Sequence, residues 1–95
     1  MDKIMNEVCV FLADGFEEIE GLTVVDLLRR AGIETRTVSI MGQEEIKGAH
    51  GIIVKADSLF ENTDFSEVKM LVLPGGMPGT IHLKEHKGLE GLILK

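Results

Sequence analysis

The residues best equipped for chemistry fall in two short loops. Asp14-Gly-Phe-Glu-Glu-Ile-Glu20 places four carboxylates within seven positions, at what reads as the start of a helix. Acids in a first turn interact well with the helix dipole, so Asp14, Glu17 and Glu18 are expected to be caps and solvated charges. Glu20 reads differently, because Val24 at i+4 and Leu27 at i+7 share its helical face and set a carboxyl group among apolar neighbours. Burial there would favour the protonated form and allow a proton to be held near neutrality. The second loop, Pro74-Gly75-Gly76-Met77-Pro78-Gly79, ends a strand and opens a helix. Consecutive glycines let backbone N–H groups approach an oxyanion closely, as in acyl-transfer sites. A tight strand-to-helix turn without a ligand is the alternative.

Two other features invite chemistry and are set aside. Cys9 lies between Val8 and Val10 in an apolar run, where a thiol behaves as a small buried hydrophobe. His82-Leu-Lys-Glu-His86 matches an H-x-x-E-H zinc pattern, but no third ligand is marked and surface histidines are the simpler reading. Arg29 and Arg30 close the first helix, where cations suit its C-terminal dipole.

The elements that must position these loops follow from periodicity. Val8 to Ala13 is apolar without alternation, as in a strand buried on both faces. From Phe16 the apolar positions Ile19, Leu22, Val25, Leu28 and Ala31 recur every third residue up to Gly32, which marks a helix and its stop. Glu34 to Ile40 alternates as a strand, which completes a parallel strand–helix–strand unit. Residues 41 to 57, with Gly42, Gly48 and Gly51, suit a small hairpin. Phe60 to Val68 is an acidic connection. Lys69 to Leu73 is a second apolar strand, and Pro78 opens one or two final helical segments. The expected fold is α/β, a flavodoxin-like parallel sheet between helices, with residues 1–95 forming the N-terminal part of a single domain. Ligands in such sheets bind beyond the carboxyl ends of the strands, so the loops after Ala13 and after Leu73 should be neighbours. The run Met70 to Leu73 reads as too apolar for an open edge, which implies a partner chain or a longer protein.

Composition removes several classes. Sixteen acidic against ten basic residues give a net charge of −6, which opposes nucleic acid and anionic membrane surfaces as partners. The longest apolar run falls far short of the roughly 20 residues needed to span a bilayer, and no export signal follows the N-terminus. One cysteine among 95 residues excludes an internal disulfide and fits a reducing compartment, so the cytoplasm is expected. A mononucleotide at the first loop is disfavoured, since Glu17 and Glu18 would repel its phosphate.

Four segments in order, Val8-Cys-Val-Phe-Leu-Ala-Asp-Gly-Phe-Glu-Glu-Ile-Glu20, Leu27-Leu-Arg-Arg-Ala-Gly32, Gly51-Ile-Ile-Val-Lys-Ala-Asp57 and Leu71-Val-Leu-Pro-Gly-Gly76, closely resemble the ThiJ/PfpI superfamily. They look most like its branch of deglycase and bacterial ThiJ-like proteins. The resemblance implies that Glu20 is the helix-one glutamate whose protonated carboxyl hydrogen-bonds to a reactive cysteine. It also implies that the Gly75 and Gly76 amides face that cysteine and steady an oxyanion. The nucleophile itself would lie beyond Lys95, so the chain resembles the front half of such a protein and is expected to be inactive alone. The implied substrate is a small reactive dicarbonyl or a glycated adduct, with no metal or organic cofactor, and the implied partner is a second copy or a complementing C-terminal half. Peptidase, thiazole-biosynthesis and chaperone roles also attach to the family. A non-catalytic interaction or redox-sensing module of the same fold is the alternative.

Overall fold

The structure, a computed structural model, describes residues 8–93. Strand β1 (Val8–Leu12) is the centre of a parallel sheet, buried along its whole length. Helix α1 (Glu18–Arg30) follows, then β2 (Thr35–Ser39), the hairpin β3 (Glu45–Lys47) and β4 (Ile53–Lys55), and the short β5 (Ser58–Leu59). A 3-10 turn at Phe60–Asn62 leads to β6 (Met70–Val72), and helices α2 (Gly79–Glu85) and α3 (Lys87–Ile93) complete the described chain. The main sheet runs β5-β2-β1-β6, all parallel, while β3 and β4 pair antiparallel beside it. No helix among the described residues is long and apolar enough to cross a membrane.

Alternation along β1 divides the core into two layers, because successive side chains of a strand point to opposite faces. Val8, Val10 and Leu12 pack with Phe16, Val25, Ile46 and Ala56, under α1 and the hairpin. Cys9, Phe11 and Ala13 pack with Val38, Ile40, Leu83 and Leu89, under α2 and α3. Phe11 meets the rings of Phe60 and Phe65 at centroid distances of 6.1 and 5.8 Å, so the acidic connection between β5 and β6 is anchored by aromatic packing.

The alternating polar residues of β2 are buried: Thr35, Thr37 and Ser39 are 8%, 5% and 0% exposed. Strands flank β2 on both sides, and the hydroxyls find partners, Thr37 Oγ1 accepting from the Asp57 N–H and Ser39 Oγ donating to the Gln43 carbonyl. The apolar run at β6, which implied a partner chain or a longer protein, lies at the edge of the sheet among the described residues. Met70 is 55% exposed and Leu73 46%, and among the described residues β6 pairs with β1 alone.

Candidate functional site

The loops after β1 and β6 meet as the topology requires. Phe16 N–H bonds to the Ala13 carbonyl and turns the chain at Gly15, and Glu17 then takes up the N-cap of α1, its Oε1 accepting from the Ile19 N–H at 3.2 Å. Glu17 N–H in turn donates to the Gly75 carbonyl at 2.8 Å. Asp14 works outside this contact, its Oδ1 accepting from the Lys47 N–H at 3.1 Å and tying the hairpin to the first loop.

Glu20 and the glycine pair converge. Glu20 Oε1 accepts from the Gly75 N–H at 3.1 Å, and a Cβ on Gly75 would stand 2.6 Å from that same oxygen. Gly76 has φ +103°, a conformation suited to glycine. A Cβ there would lie 2.5 Å from Glu17 N and 2.7 Å from the Gly15 carbonyl oxygen, so the two loops touch backbone to backbone. The Gly76 carbonyl accepts from the Thr80 N–H at 2.8 Å, which starts α2. Among the described residues the Gly75 N–H is committed to Glu20, whereas no partner is found for the Gly76 N–H. Beside Gly75 opens an apolar groove of 470 Å³, walled by Leu73, Pro74, Thr80, Leu83 and Ile93.

The apolar surroundings expected for Glu20 are absent. Glu20 is exposed, and Leu27, which shares its face, is 60% exposed. Helix α1 packs through Glu18, Gly21 and Val25 instead, and a position two residues on lies about 200° around the axis. The buried carboxylate is therefore Glu18, expected to be solvated and found 3% exposed.

Glu18 closes a small network with the β3–β4 turn. Its Oε2 accepts from the His50 N–H at 2.8 Å and the Ile52 N–H at 3.2 Å, and its Oε1 meets His50 Nδ1 at 2.8 Å. Burial works to raise the pKa of Glu18. The His50 ring and the backbone N–H groups overcome that and hold it at about 2. His50 is raised above its usual range, first by the Glu18 hydrogen bond and then by the charges of Glu17 and Glu18. Glu17, Glu18 and His50 are also the group among the described residues whose ligand atoms lie within 4.8 Å of one another. Those atoms are engaged with each other and with backbone N–H groups. The network was missed in the sequence, although Leu22 at i+4 and Val25 at i+7 of Glu18 give the same signal that singled out Glu20.

The remaining candidates are structural. Cys9 is fully buried, and burial, only partly offset by the charge of Arg36, pushes its thiol up to about 11. His86 sits at the C-cap of α2, T-shaped against Phe60, and its Nδ1 accepts from the Leu89 N–H at 2.9 Å, which joins α2 to α3. Arg29 bonds Asp57 at 2.7 Å and the Thr35 carbonyl at 3.0 Å, and so does more than complement the helix dipole.

Residues 6–93 match the DJ-1/PfpI family. The chain is 34% identical over 95 residues to Protein DJ-1 homolog B of Arabidopsis thaliana, all of this chain and 22% of that protein. It is 35% identical over 80 residues to Deglycase TK1284 of Thermococcus kodakarensis, 83% of this chain and 48% of that one. Its structure superposes on oxidized Toxoplasma gondii DJ-1 with a TM-score of 0.88 and 33% identity, covering 92% of this chain and 47% of the other. The chain belongs to the DJ-1/PfpI family, as its motifs suggested, and spans about half or less of the length of these relatives.

Proposed function

We propose that this DJ-1/PfpI chain carries the acid-and-amide half of a cysteine-dependent site of the deglycase or glyoxalase type. The observation that carries the reading is the 3.1 Å contact of Glu20 Oε1 with the Gly75 N–H, across two loops brought together at the carboxyl ends of β1 and β6. One relative is named a deglycase, which supports the same chemistry. A thiolate supplied by sequence outside these residues attacks the carbonyl carbon of a small dicarbonyl or its glycated adduct. The new C–S bond pushes the carbonyl electron pair onto oxygen, where the Gly76 N–H is free to donate and Gly75 lies alongside. Glu20, held by Gly75, takes the proton that the thiol gives up and returns it to that oxygen, leaving a hemithioacetal. Proton transfers carry the hemithioacetal to a thioester, and water breaks its C–S bond to release a hydroxy acid and the free thiol, so the proposed cycle uses no cofactor.

A homodimer is part of the proposal. Ile19 is 75% exposed, Ile53 64% and Ile52 53%, and Glu18 ties the Ile52 N–H to the first turn of α1. Apolar residues on adjoining elements suit a self-complementary face. The test joins residues 1–93 to the unmatched part of the Thermococcus relative and follows loss of methylglyoxal adducts. The joined protein should turn over, its Glu20→Gln variant should lose about 100-fold or more, and the 95-residue chain alone should show none. Turnover by the isolated chain, or a fully active Glu20→Gln, would overturn the reading.

A further inference from the structure

We propose that Glu18 is a positioning residue of the half-site: by gripping the β3–β4 turn it fixes how the first turn of α1 faces Gly75, and so where Glu20 points. The inference rests on the half-site reading above and adds the residue that sets its geometry. In the turn formed by Glu18, Ile19, Glu20 and Gly21, Ile19 and Glu20 are exposed and Gly21 has no side chain. Glu18, 3% exposed, is the one side chain there that anchors the helix. Each helical residue advances about 100° around the axis, so the bearing of Glu18 dictates that of Glu20.

The anchor is strong where the contact it serves is weak. Glu18 Oε2 accepts from the His50 N–H at 2.8 Å and the Ile52 N–H at 3.2 Å, and Oε1 meets His50 Nδ1 at 2.8 Å. Hydrogen bonds to a buried carboxylate are among the stronger ones, whereas one exposed bond, such as Glu20 to Gly75, contributes little by itself. The turn closes so tightly on the carboxyl group that a Cβ on Gly48 would collide with it. The same turn grips the loop ahead of the helix, where Gly15 N–H donates to the Lys47 carbonyl and Ala49 N–H to the Phe16 carbonyl, both at 2.8 Å. The glycine loop packs on the same residues, since a Cβ on Gly79 would lie 2.7 Å from Phe16 Cα and Glu17 N–H donates to the Gly75 carbonyl. Turn, first loop and glycine loop are therefore one connected assembly of backbone, and Glu18 is the side chain that joins the turn to α1. A role in packing alone would be met by an apolar side chain without the cost of burying a carboxylate, whereas directed bonds fix a bearing.

The test uses the 95-residue chain and reads the displacement of the Gly75 amide resonance that Glu20→Ala causes. Glu18→Ala should reduce that displacement about 5-fold or more, because α1 is then free to turn away. Glu18→Gln should retain it, since the amide oxygen accepts from both backbone N–H groups and the amide nitrogen donates to a neutral His50 Nδ1. Val25→Ala, which opens a cavity under α1 and leaves the turn alone, should lower the melting temperature without changing the displacement. Should Glu18→Ala not fold, His50→Ala removes one of the three bonds at an exposed position and should reduce the displacement about 2-fold. Three results would overturn the proposal. One is a displacement unchanged in Glu18→Ala or, where that variant does not fold, in His50→Ala. The others are a loss in Glu18→Gln as large as in Glu18→Ala, and a loss as large in Val25→Ala. A Gly75 resonance indifferent to Glu20→Ala in the unaltered chain would sink this inference and the half-site reading together, whereas absence of turnover in the joined protein would count against the chemistry alone.

Discussion

Gly75 and Gly76 sit side by side, yet the structure assigns them different consequences for the same substitution. In Gly75→Ala the new methyl meets Glu20 Oε1 at 2.6 Å, and the next nearest atoms are the Glu20 Cδ at 3.6 Å and Oε2 at 3.8 Å. All belong to the far end of one exposed, flexible side chain, which can swing aside. The loss is one exposed hydrogen bond, about 1 kcal/mol or less, and about 4–8 °C at most in the melting temperature of a domain this size. In Gly76→Ala the methyl meets Glu17 N at 2.5 Å, the Gly15 carbonyl oxygen at 2.7 Å and the Phe16 carbonyl carbon at 2.9 Å, at a φ of +103°. Backbone cannot swing aside, so the loops must part. Left-handed strain alone costs about 1–3 kcal/mol, and the clash adds to it, so a fall of more than about 10 °C is expected. Circular dichroism melts measure both, and the Gly75 amide resonance reports the Glu20 contact. Glu20→Ala should shift that resonance, and Gly75→Ala should keep most of its stability. Equal melting losses for the two glycine variants, or a Gly75 amide indifferent to Glu20→Ala, would refute the convergence of the two loops.

The Glu18–His50 pair makes stability depend on pH from both sides. Glu18 is depressed from 4.5 to about 2, so its contribution is present above 4.5 and is lost as pH falls toward 2. His50 is raised from 6.5, so its contribution is full below 6.5 and is lost as pH rises through the raised folded value. Melting temperature should therefore be highest between the two, with Glu18→Gln flattening the acid limb and His50→Gln the alkaline limb; unchanged limbs in both variants would dismiss the network. Cys9, fully buried with its thiol pushed up to about 11, should resist a disulfide reagent at pH 8 in the native protein and react in urea. Rapid labelling of the folded chain would contradict the burial.

Local pattern carried much of this protein. The unbroken run at β1, the threefold recurrence ending at Gly32 and the proline–glycine stop after β6 each mark an element from its own residues, since backbone geometry repeats every two or 3.6 residues and turns need special φ values. The encounter of the two loops was legible too, because parallel strands with crossovers bring their carboxyl ends to one side. Strand β5 was not, being two residues long and strand-like only through its pairing with β2. Nor was the choice between two carboxylates two residues apart. Both Glu18 and Glu20 have apolar residues at i+4 and i+7, and the sequence treats them alike. Which one is buried depends on how α1 is rotated against the sheet and on a hairpin turn some thirty residues away that supplies the Ile52 and His50 donors to Glu18. Burial and hydrogen bonding are properties of what surrounds a group in space, and only the folded chain brings those surroundings together.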